Sequence, residues 1–263
     1  MKYFDFVPEG AKGCQVTAYL QTAVEGQIAA RPAVVICPGG GYVMVSEREA
    51  EPAAKEYFAA GYHVFVLTYS VEELAKDFIP LMQLAASVAH IRKHSGEWHV
   101  DAGKICVCGF SAGGHLAASL GTLYKEEKFL EAYGRQDEIR PDAMLLCYPV
   151  ITADEYAHVE SLENVSGAAA GSEAYAWFGL DKHVDVDTPP AFIWHTAPDT
   201  CVPVENSLKF CSALSAAGVP FELHVFPEGG HGMSVCTEEV NTPDAYNRRW
   251  VQWSIEWLGK VFS

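Results

Sequence analysis

Six short apolar runs recur along the chain, at 33–37, 63–69, 104–108, 143–148, 191–196 and 222–226, each closed by proline, glycine or polar residues. Most are continuously apolar and rich in β-branched residues, the pattern of strands buried on both faces. Helical patterns lie between them. One spans about 51–60, with Pro52 in its first turn and Gly61 at its end. A second, capped by Asp77, carries Leu81, Leu84, Ala85, Val88 and Ile91 at helical spacing. A third follows Gly113, and a fourth runs over about 204–217 up to Gly218. The tail, about 243–258, predicts an amphipathic helix whose Trp250, Trp253 and Trp257 share a core-facing side. Strands alternating with helices predict an α/β fold with a mostly parallel central sheet and helices on both faces. The run near 16–20 adds an antiparallel edge. A length of 263 residues fits one domain over 1–263.

One stretch breaks the rhythm. About 151–188 is long, mixed and glycine-containing, yet carries Tyr156, Tyr175, Trp177 and Phe178. It is too aromatic for disorder and predicts a small cap insertion over a site.

Composition narrows the partners. The net charge is −16, from 34 acidic and 18 basic residues. Such a surface repels phosphate backbones and anionic lipid heads, so neither nucleic acid nor membrane is an expected partner. Cys37, Cys106, Cys108 and Cys147 lie in or beside apolar runs, where a free thiol packs as a small hydrophobe. No leader-like segment precedes the first run, and no run reaches membrane-spanning length. A reducing cytoplasm is the expected compartment. The histidines and cysteines show no tight ligand spacing, so no metal is expected; Cys106 and Cys108 share one strand face and read as core.

The chemistry sits where strands end. Gly109-Phe110-Ser111-Ala112-Gly113 is a G-x-S-x-G pentapeptide between a predicted strand and a predicted helix. That context makes it a nucleophile elbow, a strained turn that exposes the serine above the sheet. Three more strand ends carry Gly39-Gly40-Gly41, Asp199, and Gly229-Gly230-His231-Gly232. Ligands bind beyond the carboxyl ends of parallel strands, and the chain order serine, acid, histidine suits this architecture. Ser111 is the expected nucleophile, His231 its general base, and Asp199 the carboxylate orienting the imidazole. Asp185 and Asp187 precede the fifth apolar run rather than follow it. His195 and His224 lie within strands and read as packed or solvent-facing, and His115 as a helix-packing or capping residue. The oxyanion hole is expected from the N–H of Ala112 together with that of Gly40 or Gly41. Tyr42, Tyr148, Tyr156, Trp177 and Phe178 are candidate pocket walls, suited to sugar rings or acyl chains.

With these residues in place, the chain resembles bacterial esterases of the α/β-hydrolase superfamily, in particular the acetylesterase and acetyl-xylan-esterase-like group. The resemblance covers nearly the whole chain. It is carried by Cys37-Pro38-Gly39-Gly40-Gly41-Tyr42, by the segment from Gly109 to Ala117, by Thr188-Pro189-Pro190 through Asp199 to Val202-Pro203, and by Gly229-Gly230-His231-Gly232. It implies an α/β-hydrolase fold and cofactor-free serine hydrolysis of short acyl esters, often acetyl groups on sugars. Many lipase-like relatives carry a histidine where Pro38 stands, so the resemblance favours the sugar-esterase branch. The expected partner is a small-molecule ester; a homodimer is compatible with the sequence. Two other readings stay open. An amide-cleaving hydrolase, peptidase-like or arylformamidase-like, would use the same oxyanion, and a non-catalytic small-molecule sensor would keep the fold alone.

Overall fold

A computed structural model of the chain describes residues 1–22, 28–133 and 135–263. The apolar runs become strands of one eight-stranded sheet. The strands are β1 (Lys2–Phe6), β2 (Gln15–Leu20), β3 (Arg31–Cys37), β4 (His63–Thr68), β5 (Val100–Phe110), β6 (Ala143–Cys147), β7 (Ala191–Thr196) and β8 (Phe221–Phe226). Their spatial order is β1-β2-β4-β3-β5-β6-β7-β8. β1 and β2 pair antiparallel and β2 runs antiparallel to β4, while β3 to β8 are parallel to their neighbours. The antiparallel edge is thus two strands wide, with β1 outermost.

Alternate residues of the central strands feed two cores, as the period-2 pleat demands. Val35, Val107, Leu146 and Ile193 face one side, against helices α2 (Ile79–Lys93), α3 (Ala112–Leu123) and α5 (Glu205–Ala217). Val34, Ile36, Cys106, Cys108, Leu145 and Trp194 face the other, against α1 (Glu51–Ala59) and α6 (Arg249–Val261). Seven of the eight cysteines are buried and all are free. No helix among the described residues is long and apolar enough to cross a membrane.

Two sequence expectations need correction. Asp77 does not cap α2. The cap position is Phe78, in the left-handed region at φ 64°, and Pro80 lies in the helix's first turn. Asp77 also has positive φ (56°), so the chain makes a left-handed corner before the helix begins. The tail helix starts at Arg249 rather than near 243, because residues 245–248 form a turn before it. Trp250 and Trp257 enter the core as expected, and Trp253 is half-buried.

The segment 151–188 holds α4 (Val159–Ser166) and two shorter helical turns. Asn206 on α5 secures its start by accepting the Ile151 and Thr152 amides, at 2.9 and 3.0 Å. Its helix α4 reaches the loop after β3, where Asn164 Nδ2 donates to the Gly41 carbonyl at 2.9 Å.

Trp250 links α6 to the sheet and to the last loop. Its ring stacks on Trp194 at 5.0 Å, and its Nε1–H donates to Ser234 O at 3.0 Å. Trp250→Ala should cost about 3–5 kcal/mol, the range for a fully buried large aromatic. Urea unfolding measures it; a loss under about 1 kcal/mol would contradict this packing.

Candidate active site

The elbow forms because two glycines allow three backbones to meet. A Cβ on Gly109 would lie 2.0 Å from Gly113 O, and one on Gly113 would lie 2.0 Å from Cys37 O. No side chain fits either gap, so the strand β5, helix α3 and the end of β3 close on one another only with glycine there. Between them Ser111 adopts φ 53°, ψ −118°. A non-glycine residue in this region carries strain of order 1–3 kcal/mol. Hydrogen bonds hold it: Ser111 N donates to Cys147 O at 3.0 Å, and Ser111 O accepts from His115 N and Val150 N, both at 3.1 Å.

The turn presents the hydroxyl to a histidine. Ser111 Oγ lies 2.7 Å from His231 Nε2, and His231 Nδ1 lies 2.7 Å from Asp199 Oδ2. A carboxylate only accepts, so Nδ1 carries the proton and Nε2 is left to accept from the serine hydroxyl. Asp199 Oδ1 takes the amides of Cys201 and Val202 at 2.9 and 3.0 Å. Burial alone would raise the Asp199 pKa. Hydrogen bonds from His195, His231 and the Val202 amide outweigh it, and the group sits well below the usual carboxylate range. The carboxylate is therefore charged at neutral pH.

His195 is a participant that the sequence does not reveal. It is fully buried, and its Nε2–H points between Val202 O, at 2.8 Å, and Asp199 Oδ2, at 3.3 Å. Its Nδ1 accepts from Ser207 Oγ at 2.8 Å. It is packed, as expected, but packed against the acid of the serine–histidine pair. The rival acids lie elsewhere: Asp185 and Asp187 both pair with Lys125. His224 pairs with Glu222 and stacks on Trp253.

Opposite the elbow, the glycine loop offers amides. Gly39 N–H is already committed, donating to Glu49 Oε2 at 2.8 Å. Gly40 (φ 125°) and Gly41 (φ 65°) follow, with the Gly40 carbonyl turned to the Val43 and Met44 amides. Ala112 opens α3, where backbone N–H groups have no intrahelical partner and the helix dipole favours an anion. The amides of Gly40, Gly41 and Ala112 thus belong to the two backbone segments that flank Ser111. Glu49 itself escaped the sequence reading. It is 4% exposed, and its Oε1 accepts from Tyr148 OH at 2.6 Å.

The proposed aromatic walls are corrected in part. Tyr42, Tyr148 and Phe178 are buried, and so present no open face. Tyr42 OH lies 2.9 Å from His115 Nδ1, and Tyr148 OH is spent on Glu49 and the Ser234 amide. Their hydroxyls find partners inside, which turns the rings inward. Tyr148 still touches the site, edge-on to His231 at 5.0 Å. Tyr156 and Trp177 are half-buried; Tyr156 lies under Lys209, and Trp177 packs on Phe78 and His183.

His115 packs within the helix end, as expected. Its Nε2–H donates to Phe178 O at 3.0 Å, so it ties α3 to the 151–188 segment while Tyr42 ties it to the glycine loop. Burial lowers its pKa to about 4.

The BD-FAE family model matches residues 19–214. Endo-1,4-beta-xylanase B of Butyrivibrio fibrisolvens is 38% identical over 214 residues, 80% of this chain and 33% of that protein. The acetylxylan esterase of Xylanibacter ruminicola is 29% identical over 78% of this chain and 42% of its own length. The chain thus spans less than half of either curated relative. The crystal structure of carboxylesterase Cest-2923 from Lactobacillus plantarum WCFS1 superposes with a TM-score of 0.86 at 28% identity, covering 99% of this chain and 98% of that one. MGS-M1, an alpha/beta hydrolase enzyme from a Medee basin deep-sea metagenome library, superposes with a TM-score of 0.80 at 33% identity over 99% of this chain and 98% of that one, and the fold is that of the α/β-hydrolases.

Two outcomes test this arrangement. Asp199→Asn should slow fluorophosphonate labelling of Ser111 by about 10³–10⁴-fold, because the amide favours the wrong imidazole tautomer. A labelling time course reads it, and an unchanged rate would contradict the relay. For His115, the folded pKa lies below the unfolded value of about 6.5. Between the two the unfolded chain binds a proton that the native one does not, so stability falls as pH drops from about 6.5 towards about 4. His115→Gln should flatten that dependence by up to about 1.4 kcal/mol per pH unit. Urea unfolding at several pH values in this window checks it, with equal slopes as the contrary result.

Proposed function

This chain belongs to the BD-FAE family, and from that premise we propose that it is a serine carboxylic ester hydrolase removing short acyl groups, acetyl foremost, from sugars or similar alcohols. The observation that carries the reading is the continuous contact from Ser111 Oγ through His231 to Asp199, two hydrogen bonds of 2.7 Å each. Ser111 attacks the ester carbonyl carbon while His231 Nε2 takes its proton. The carbonyl oxygen, now anionic, is held by the N–H of Ala112 and of Gly40 or Gly41. Collapse of this intermediate breaks the ester C–O bond, and His231 returns the proton to the departing alcohol. Water, activated by His231, then releases the acid from Ser111. Asp199, kept charged, stabilises the imidazolium in both halves.

The acyl preference rests on two supports. A relative named acetylxylan esterase shares 29% identity over most of this chain. Buried Tyr42, Tyr148 and Phe178 also fill space around the elbow with protein, which suits a small acyl group better than a long chain. The 151–188 segment is read as a cap of the single domain, touching the glycine loop through Asn164.

Hydrolysis of p-nitrophenyl esters tests the reading. The kcat/KM value should be highest for acetate, fall through butyrate and longer chains, and vanish with Ser111→Ala. A rise with chain length would overturn the short-acyl assignment, and activity surviving in Ser111→Ala would overturn the mechanism.

A further inference from the structure

We propose that Glu49 is a positioning residue: a buried carboxylate that locks the glycine loop to the His231 loop and favours the imidazolium form of His231 during turnover. The inference rests on the serine hydrolase reading above and extends it to a residue beyond the Ser111–His231–Asp199 relay.

The hydrogen bonds around Glu49 run in one direction only. The Gly39 amide can only donate, and it donates to Oε2 at 2.8 Å. Tyr148 OH accepts from the Ser234 amide at 2.9 Å, so its own proton goes to Glu49 Oε1, 2.6 Å away. Both carboxylate oxygens thus receive protons from donors, the pattern of a charged carboxylate rather than a protonated one. The chain Gly39–Glu49–Tyr148–Ser234 joins the loop after β3 to the loop after β8. A second set of bonds runs parallel to it. Arg48 Nη2 donates to Gly232 O at 3.0 Å, Arg48 Nε donates to Val240 O at 2.7 Å, and Ser234 Oγ donates to Arg48 O at 2.6 Å. The short turn Glu47–Glu49 therefore clamps both sides of the elbow. Pro38 has no side chain able to brace the glycine loop, and Glu49 supplies that brace from eleven residues downstream in sequence.

The buried charge also faces the base. Tyr148 carries one Glu49 hydrogen bond and lies edge-on to His231 at 5.0 Å. The ionisable groups around His231 are Asp199 from the loop after β7, Glu49 from the turn, Tyr148 after β6, and His158 at the start of α4; Arg48 neighbours Glu49 on its own turn. Burial holds the Glu49 pKa above the usual carboxylate value, and the Tyr148 and Gly39 hydrogen bonds, with the nearby His231 and Arg48, limit the rise. Asp199 is the direct partner of the imidazolium, and Glu49 adds a second anion whose field acts through buried protein rather than bulk solvent.

The test compares Glu49→Gln, Glu49→Asp, Tyr148→Phe and Ser111→Ala by p-nitrophenyl acetate kinetics across pH, with circular dichroism to establish folding. Glu49→Gln should lower kcat roughly tenfold to a hundredfold with KM changed less than about twofold. The acid limb of its kcat/KM profile should move to lower pH, since an anion near the imidazolium is gone. Glu49→Asp should keep the acid limb where it is in the parent while failing to restore kcat in full, because charge is retained and reach is lost. A folded Glu49→Gln with parent kcat, or with an unmoved acid limb, would overturn the proposal. If Glu49→Gln does not fold, Tyr148→Phe decides: a lower kcat at constant KM supports the clamp, and an unchanged kcat overturns it. Ser111→Ala separates the two readings. Its inactivity with an unaltered Glu49→Gln sinks the clamp alone, whereas activity in Ser111→Ala sinks the hydrolase mechanism on which the clamp depends.

Discussion

The backbone of Ser111 is the constraint around which the molecule is arranged. A serine at φ 53° persists only where its surroundings hold it more tightly than the strain repels it. Here that hold comes from the central parallel strands. β5 lies between β3 and β6, the Ser111 amide is bonded to the end of β6, and Gly113 abuts the end of β3. The two cores on either face keep those strands in register. The apolar framework therefore acts on chemistry through geometry: it fixes where three carboxyl-terminal strand ends release their loops.

Around that point, three buried polar groups each keep several partners. Asp199 takes two amides and two histidines, Glu49 takes an amide and a phenol, and His115 bridges a phenol and a carbonyl. A half-satisfied network in such a place would cost more than it contributed. Each of these groups also joins two loops that are far apart in sequence. The same bonds that repay desolvation thus set the mutual distances of Ser111, His231 and the glycine loop.

Much of this was legible in the sequence, and the reasons are local. The strand runs, the helix-ending Gly218 and the glycine-flanked serine follow short-range rules, and the strand ends told where to look for chemistry. Ser111, Asp199 and His231 come together in space from those ends. What escaped depended on contacts across the fold. Glu49 stands in an acidic, polar-looking stretch, and nothing nearby in sequence marks it as buried. His195 lies in a strand, and a period-2 pattern does not say that its ring turns back onto the acid four residues on. Tyr42 and Tyr148 border the site in sequence, yet their hydroxyls are drawn inward to His115 and Glu49. Asp77 misled because a capping residue type was read without the left-handed corner that follows it.

The central claim is covalent: an acyl group passes through Ser111 on its way to water. Rapid acid quench of the protein with p-nitrophenyl acetate, followed by peptide mass spectrometry, tests it most directly. The account predicts an acetyl adduct on the peptide containing Ser111, absent after His231→Ala. Ester consumption with no adduct there, or with the acetyl group on another side chain, would contradict it.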